Sequence, residues 1–113
     1  MPRVDGEISW IGKVGREFTL EQGQRAARDS ALMMLACIKE ALGTLDRVEE
    51  IVRVKGYINV EPDFTEVSGC LNGASELLVE LYGDPGQHTR TAIGVASMPF
   101  GVAIEVEGIF EVS

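Results

Sequence analysis

Aromatic residues are scarce in this chain, at 6% of 113 residues. Its core must therefore be aliphatic, drawn from the Val, Ile, Leu and Ala of a 45% hydrophobic fraction. Cysteine is nearly absent. Cys37 and Cys70 each fall inside an apolar helical pattern, without the spacing of a metal site. Two buried free thiols are expected, as in a reducing cytoplasm where disulfides do not persist. His88 is the single histidine, with no Cys or His close in sequence, so it reads as a loop residue rather than a metal ligand. No apolar run reaches the roughly 18 residues of a membrane span. The opening MPRVDGEISW lacks the apolar centre of a signal peptide, so a cytoplasmic protein is expected. Positive charge is also short: 10 Lys and Arg face 18 Asp and Glu, for a net −8. Such a surface repels phosphate backbones and disfavours extended nucleic-acid binding. The length fits one domain, residues 1–113.

What is present is concentrated in the last quarter, HTRTAIGVASMPFGVAIEVEGIFEV. Residues 91–97 form one apolar run. Residues 102–112 alternate, with Val102, Ile104 and Val106 on one side and Ala103, Glu105 and Glu107 on the other. That period of two predicts a strand with one buried face. Met98-Pro99-Phe100-Gly101 supplies turn chemistry between the two runs, because proline presets φ and glycine accepts positive φ. A hairpin is expected, and it would bring Arg90 and Glu105 into one neighbourhood. A guanidinium beside a carboxylate suits a small carboxylic acid: the arginine fork holds the ligand and the glutamate orients a water. From spacing alone, an exposed pair of this kind is more often a weak ion pair.

Upstream, residues 1–17 are polar and glycine-rich, with Ile8, Trp10 and Val14 as material for a short strand or an extended arm. Thr19 with Gln22 is a capping-box pattern, and Gly43 a C-cap, so a helix is predicted over 19–42. Its apolar positions include Leu20, Ala27, Ala31, Met34, Leu35, Ile38 and Leu42, while Arg25, Arg28, Lys39 and Glu40 face outward. Residues 51–60 read as a strand, with Val52, Val54, Ile58 and Val60 on one face and Arg53, Lys55, Tyr57 and Asn59 on the other. A second helix is predicted over 63–82, with Gly69 and Gly73 inside it to permit close approach to the sheet. The order is β-α-β-α-β-β. This predicts a two-layer α+β domain, a four-stranded mixed sheet with two long helices on one face. The other face, left uncovered, invites oligomerisation.

Three stretches together resemble the Rid family, also called the YjgF/L-PSP family. They are TRTAIGVASMPFGVAIEVEGIFEV at the end, RVKGYINVEPDF in the middle, and GQRAARDSALMMLACIKEALG in the first helix. The resemblance runs from about residue 2 to the end. It implies a chorismate-mutase-like fold and a homotrimer with clefts between subunits that bind small carboxylates or imino acids. It implies hydrolysis of reactive enamines and imines of amino-acid metabolism to 2-oxo acids and ammonia, with no cofactor and no metal. The family's carboxylate-binding Arg matches Arg90, its water-orienting Glu matches Glu105, and an Asn of the second helix matches Asn72. The small residue two after the Arg, which offers backbone contacts, is Ala92. Family members carry about forty further residues before the position of Met1, including two strands and a Ser-Gly-Gln loop, so the domain reads as shortened at its N-terminus. Two other functions compete: a non-catalytic trimer that binds or senses small carboxylates, and an endoribonuclease or translation inhibitor of the L-PSP type. The net charge and the lack of a basic stripe count against the latter.

Overall fold

Thr19 sets the first long helix. In the computed structural model, which describes residues 3–4 and 6–113, the Gln22 backbone N–H donates to the Thr19 hydroxyl at 3.2 Å. The Thr19 N–H donates to the Gln22 side chain at 2.8 Å. This capping box satisfies two orphan donors and opens α1, Leu20–Leu42. Gly43 closes it in the left-handed region, φ 84°, and returns its N–H to the Lys39 carbonyl. The buried side of α1 is built of small residues, Gly23, Ala26, Ala27, Ser30 and Ala31, with Leu35. The second helix, α2, is Val67–Tyr82. It begins four residues later than expected, because Glu61–Phe64 closes as a turn, with the Phe64 N–H on the Glu61 carbonyl at 2.9 Å.

The two glycines of α2 permit a close approach, but to α1 and not to the sheet. A Cβ added at Gly73 would lie 1.9 Å from the Gln24 carbonyl oxygen, and one at Gly69 would meet Leu20 Cδ1 at 3.2 Å. The Gln24 side chain donates to the Gly69 carbonyl at 3.0 Å across the same contact. Cys70, fully buried, sits there against Gly23. Burial pushes its thiol up to about 11, with the Glu66 carboxylate adding to the effect. Cys37 is exposed instead, on the outer side of α1, contrary to the expected pair of buried thiols; both are free.

The sheet is mixed and has three strands. β3, Val48–Asn59, is central. β4, Thr89–Val95, runs parallel to it on one edge, joined through α2 as a βαβ unit. β5, Ile104–Val112, runs antiparallel on the other edge. The two closing strands are therefore not a hairpin: they never pair, and β3 lies between them. The connection explains why. Residues 96–103 cross the end of β3, stitched by Gly12 N–H to the Gly101 carbonyl at 2.8 Å, Ala103 N–H to Trp10 at 2.7 Å, and Asn59 N–H to Ala103 at 2.8 Å. The Pro99–Gly101 turn is real, with Phe100 and Gly101 at φ 58° and 71°. It turns the chain over β3 rather than back along β4.

Both helices cover one face of the sheet, giving a two-layer α+β domain. Ile51, Val54 and Ile58 of β3 and Ile104 of β5 are buried with Leu71, Leu77 and Leu78 of α2. Val52, expected beside Val54, is 44% exposed because the register shifts between Ile51 and Arg53 and turns it outward. Among the described residues the expected fourth strand does not join this sheet. The first residues instead make a separate two-residue pair, β1 (Arg3–Val4) with β2 (Glu7–Ile8), followed by single bridges of Ile11 to Val102 and Val14 to Val60. Among the described residues no helix is long and apolar enough to cross a membrane.

Candidate functional site

Register decides where Arg90 and Glu105 lie. Arg90 stands level with Val54, whose side chain points under the helices. Glu105 stands level with Tyr57 on the opposite edge of β3, three positions along. An odd separation reverses the face, so Arg90 projects to the helix side and Glu105 to the uncovered side. Within one chain the two expected partners are not brought together. The hairpin that would have joined them does not exist.

Arg90 is instead held by α2. Its Nη1 donates to the Ser75 hydroxyl at 3.2 Å and its Nη2 to the Ser68 carbonyl at 3.2 Å. Ser68, Asn72, Ser75 and Val79 follow one another at helical spacing, so Asn72 shares the stripe that faces Arg90. Ala92, two residues on from Arg90, shares its face of β4, stands level with Gly56 and packs against the core. Three of the four expected site residues therefore gather at the α2–β4 seam, and Glu105 does not.

The seam contains two residues that the sequence did not place in a site: Ser75, and His88, which reads there as a loop residue. Ser75 Oγ and His88 Nε2 are 2.9 Å apart, and His88 Nδ1 is 2.6 Å from the Gly86 carbonyl. A carbonyl only accepts, so Nδ1 carries a proton, and in the neutral ring Nε2 then holds the lone pair. In that tautomer Ser75 donates to His88 and accepts from Arg90. Gly86 makes this geometry possible: a Cβ there would lie 2.3 Å from the Leu78 carbonyl oxygen, so only glycine lets the short turn of residues 84–86 tuck against the end of α2. Ser75, His88 and Arg90, with Val79 and Gln87, line an open concavity of about 320 Å³. The signal for His88 was its alternation with Arg90 and Ala92 at positions 88, 90 and 92. Nothing in the sequence pointed to Ser75.

The uncovered face has its own order. Arg53 donates to the Thr91 hydroxyl at 3.2 Å, the Tyr57 hydroxyl to Glu107 at 3.3 Å, and Lys55 Nζ lies 5.1 Å from the Tyr57 ring centre. Among the described residues no group of three or more His, Cys, Asp and Glu could hold a metal ion.

The family model described as "YjgF/chorismate_mutase-like, putative endoribonuclease" matches residues 1–110. The chain belongs to this YjgF family. It is similar to protein TCP17 of Trypanosoma cruzi, 40% identical over 114 residues that take in the whole chain and 71% of the relative. The crystal structure of Atu1372 from Agrobacterium tumefaciens, a protein of unknown function, superposes with a TM-score of 0.96 at 37% identity, over 99% of this chain and 71% of that one. A Shewanella oneidensis structure described as a putative endoribonuclease gives 0.95 at 32% identity, over 98% and 74%. The mixed sheet with two helices on one face is thus the YjgF fold.

Proposed function

We propose that this YjgF-family chain hydrolyses reactive imines and enamines of small amino-acid-derived carboxylates, releasing 2-oxo acids and ammonia. The observation that carries the reading is Arg90. Its guanidinium has five N–H donors. Ser75 and Ser68 take two, and the remainder serve a ligand carboxylate in the concavity beside it. Asn72, on the same stripe of α2, adds an amide, and Ala92 a backbone contact. Because Glu105 lies on the other face of its own sheet, the Glu105 that orients the attacking water comes from a neighbouring subunit of a trimer. The substrate is already activated, so most of the acceleration is positioning. No cofactor is called for by this chemistry.

The test is release of 2-oxobutyrate from freshly generated 2-iminobutyrate, with 2-oxobutyrate affinity measured alongside. Arg90→Ala should weaken binding about ten- to a hundredfold, the worth of a charge-assisted contact of roughly 1.5–3 kcal/mol. Arg90→Lys should lose most of it too, because an ammonium lacks the planar fork. Parent protein that binds 2-oxobutyrate without turning over the imine would make this a carboxylate-binding trimer instead. The description shared by the family model and the Shewanella relative favours RNA cleavage as a second reading. The net charge of −8 opposes it. Cleavage of RNA by nuclease-free protein, lost in Arg90→Ala, would establish it.

A further inference from the structure

The Arg90 seam holds an acid–base pair that the expected chemistry does not use. We infer that Ser75 and His88 form a proton relay serving a substrate held on Arg90. The inference rests on the imine-hydrolysis reading and adds to it the groups that move the protons.

Three observations converge. The Gly86 carbonyl, 2.6 Å from His88 Nδ1, holds a proton on that nitrogen, so the neutral ring presents Nε2 as its base. Ser75 stands 2.9 Å from that nitrogen, so its hydroxyl proton is already directed at a group able to take it. The same Ser75 oxygen accepts from Arg90 at 3.2 Å, so a carboxylate on the guanidinium places its reacting carbon within reach of the hydroxyl. All three side chains border one open concavity. A mere pin between α2 and β4 needs only the Arg90 contacts to Ser75 and Ser68. It does not need an imidazole lone pair aligned on the serine.

The chemistry closes without an added reagent. Water's oxygen bonds to the imine carbon as the C=N π bond breaks. Ser75 accepts the water proton while passing its own to His88 Nε2, and the same path returns a proton to the nitrogen, giving the carbinolamine. The hydroxyl proton of the carbinolamine travels the same way to the nitrogen. The C–N bond then breaks with its electron pair on nitrogen, ammonia leaves, and the carbonyl forms. Both water hydrogens end on ammonia, and the relay ends as it began. The neighbour's Glu105 orients the water, and the relay carries protons between oxygen and nitrogen.

The experiment is steady-state hydrolysis of 2-iminobutyrate by the parent chain, His88→Gln, Ser75→Ala and Ser75→Thr, each checked for folding by thermal unfolding. His88→Gln and Ser75→Ala should lower kcat by about 10²–10⁴ while KM stays near that of the parent, because Arg90 still binds the carboxylate. Ser75→Thr keeps the hydroxyl and should restore most of the loss. Ser75 is half-exposed on a helix that tolerates alanine, so Ser75→Ala decides the matter should His88→Gln not fold. Parent-like kcat in Ser75→Ala, or a change confined to KM, overturns the relay and leaves the hydrolysis reading standing. An inert parent overturns both.

Discussion

Glu105 and Glu107 lie two positions apart on the same face of β5, and the proposed chemistry gives only Glu105 the attacking water. Glu107 is engaged within its own chain by the Tyr57 hydroxyl at 3.3 Å. Glu105 stands level with Tyr57, nearer the crossing over β3. Glu105→Gln should keep the fold and most 2-oxobutyrate affinity while turnover falls by about 10²–10⁴, the range for loss of a proton acceptor. Glu107→Gln should leave turnover close to the parent value. Measured side by side, a loss in Glu107→Gln alone would mean that the closing strand is matched to the family two residues out of register.

At the scale of elements, the glycines of α2 give a paired prediction. Gly73→Ala gains roughly 1 kcal/mol of helix propensity. It also drives a methyl to 1.9 Å from a backbone carbonyl of α1. Backbone cannot give way as a side chain does, so the net should be destabilising by at least about 1–3 kcal/mol, read as a lower unfolding midpoint. Gly69→Ala meets only the flexible tip of Leu20 and should be neutral or mildly stabilising. The existence and bounds of α1 were legible in the sequence because its signals are local: the Thr19–Gln22 box, the apolar period, Gly43. What the glycines approach was not, since both helices were readable singly but not against one another. The strands show the same divide. β4 and β5 were each legible from pattern. Their partner was not, because a Pro–Gly turn fixes a change of direction and says nothing about which strand receives the chain. Arg90, Asn72 and Ala92 were placed by family motif and do gather at one seam. The Ser75–His88 contact spans 13 residues and depends on how Gly86 tucks under Leu78, information held by tertiary packing alone.

For the whole molecule, the decisive surface is the side of the sheet that no helix covers. Ile93 and Ile109 are exposed there at 37% and 59%, among Arg53, Lys55, Tyr57, Glu105 and Glu107. Several of these charges are already partnered within the chain, by the Arg53–Thr91 and Tyr57–Glu107 hydrogen bonds and the stacking of Lys55 on Tyr57. These contacts satisfy part of the hydrogen-bonding capacity of the face, so fewer unsatisfied donors and acceptors are buried against another subunit. A shallow recess of about 290 Å³ between Arg53, Lys55, Glu107, Gly108 and Ile109 gives the face relief into which a neighbour's side chains can fit. The same surface must meet a neighbour if Glu105 is to reach another subunit's Arg90, because one sheet separates the two within a chain. Sedimentation equilibrium at micromolar concentration should return three times the chain mass. Ile109→Asp places a charge on the exposed apolar part of this face and should yield monomers. Imine turnover should disappear with the trimer even though Arg90, Ser75 and His88 are untouched. Leu81→Asp, an exposed apolar residue on α2 at 54%, should leave the trimer intact. A monomeric parent would remove the trimer, and a monomeric Leu81→Asp beside a trimeric Ile109→Asp would move the interface off the sheet; either leaves Glu105 without an Arg90 to serve.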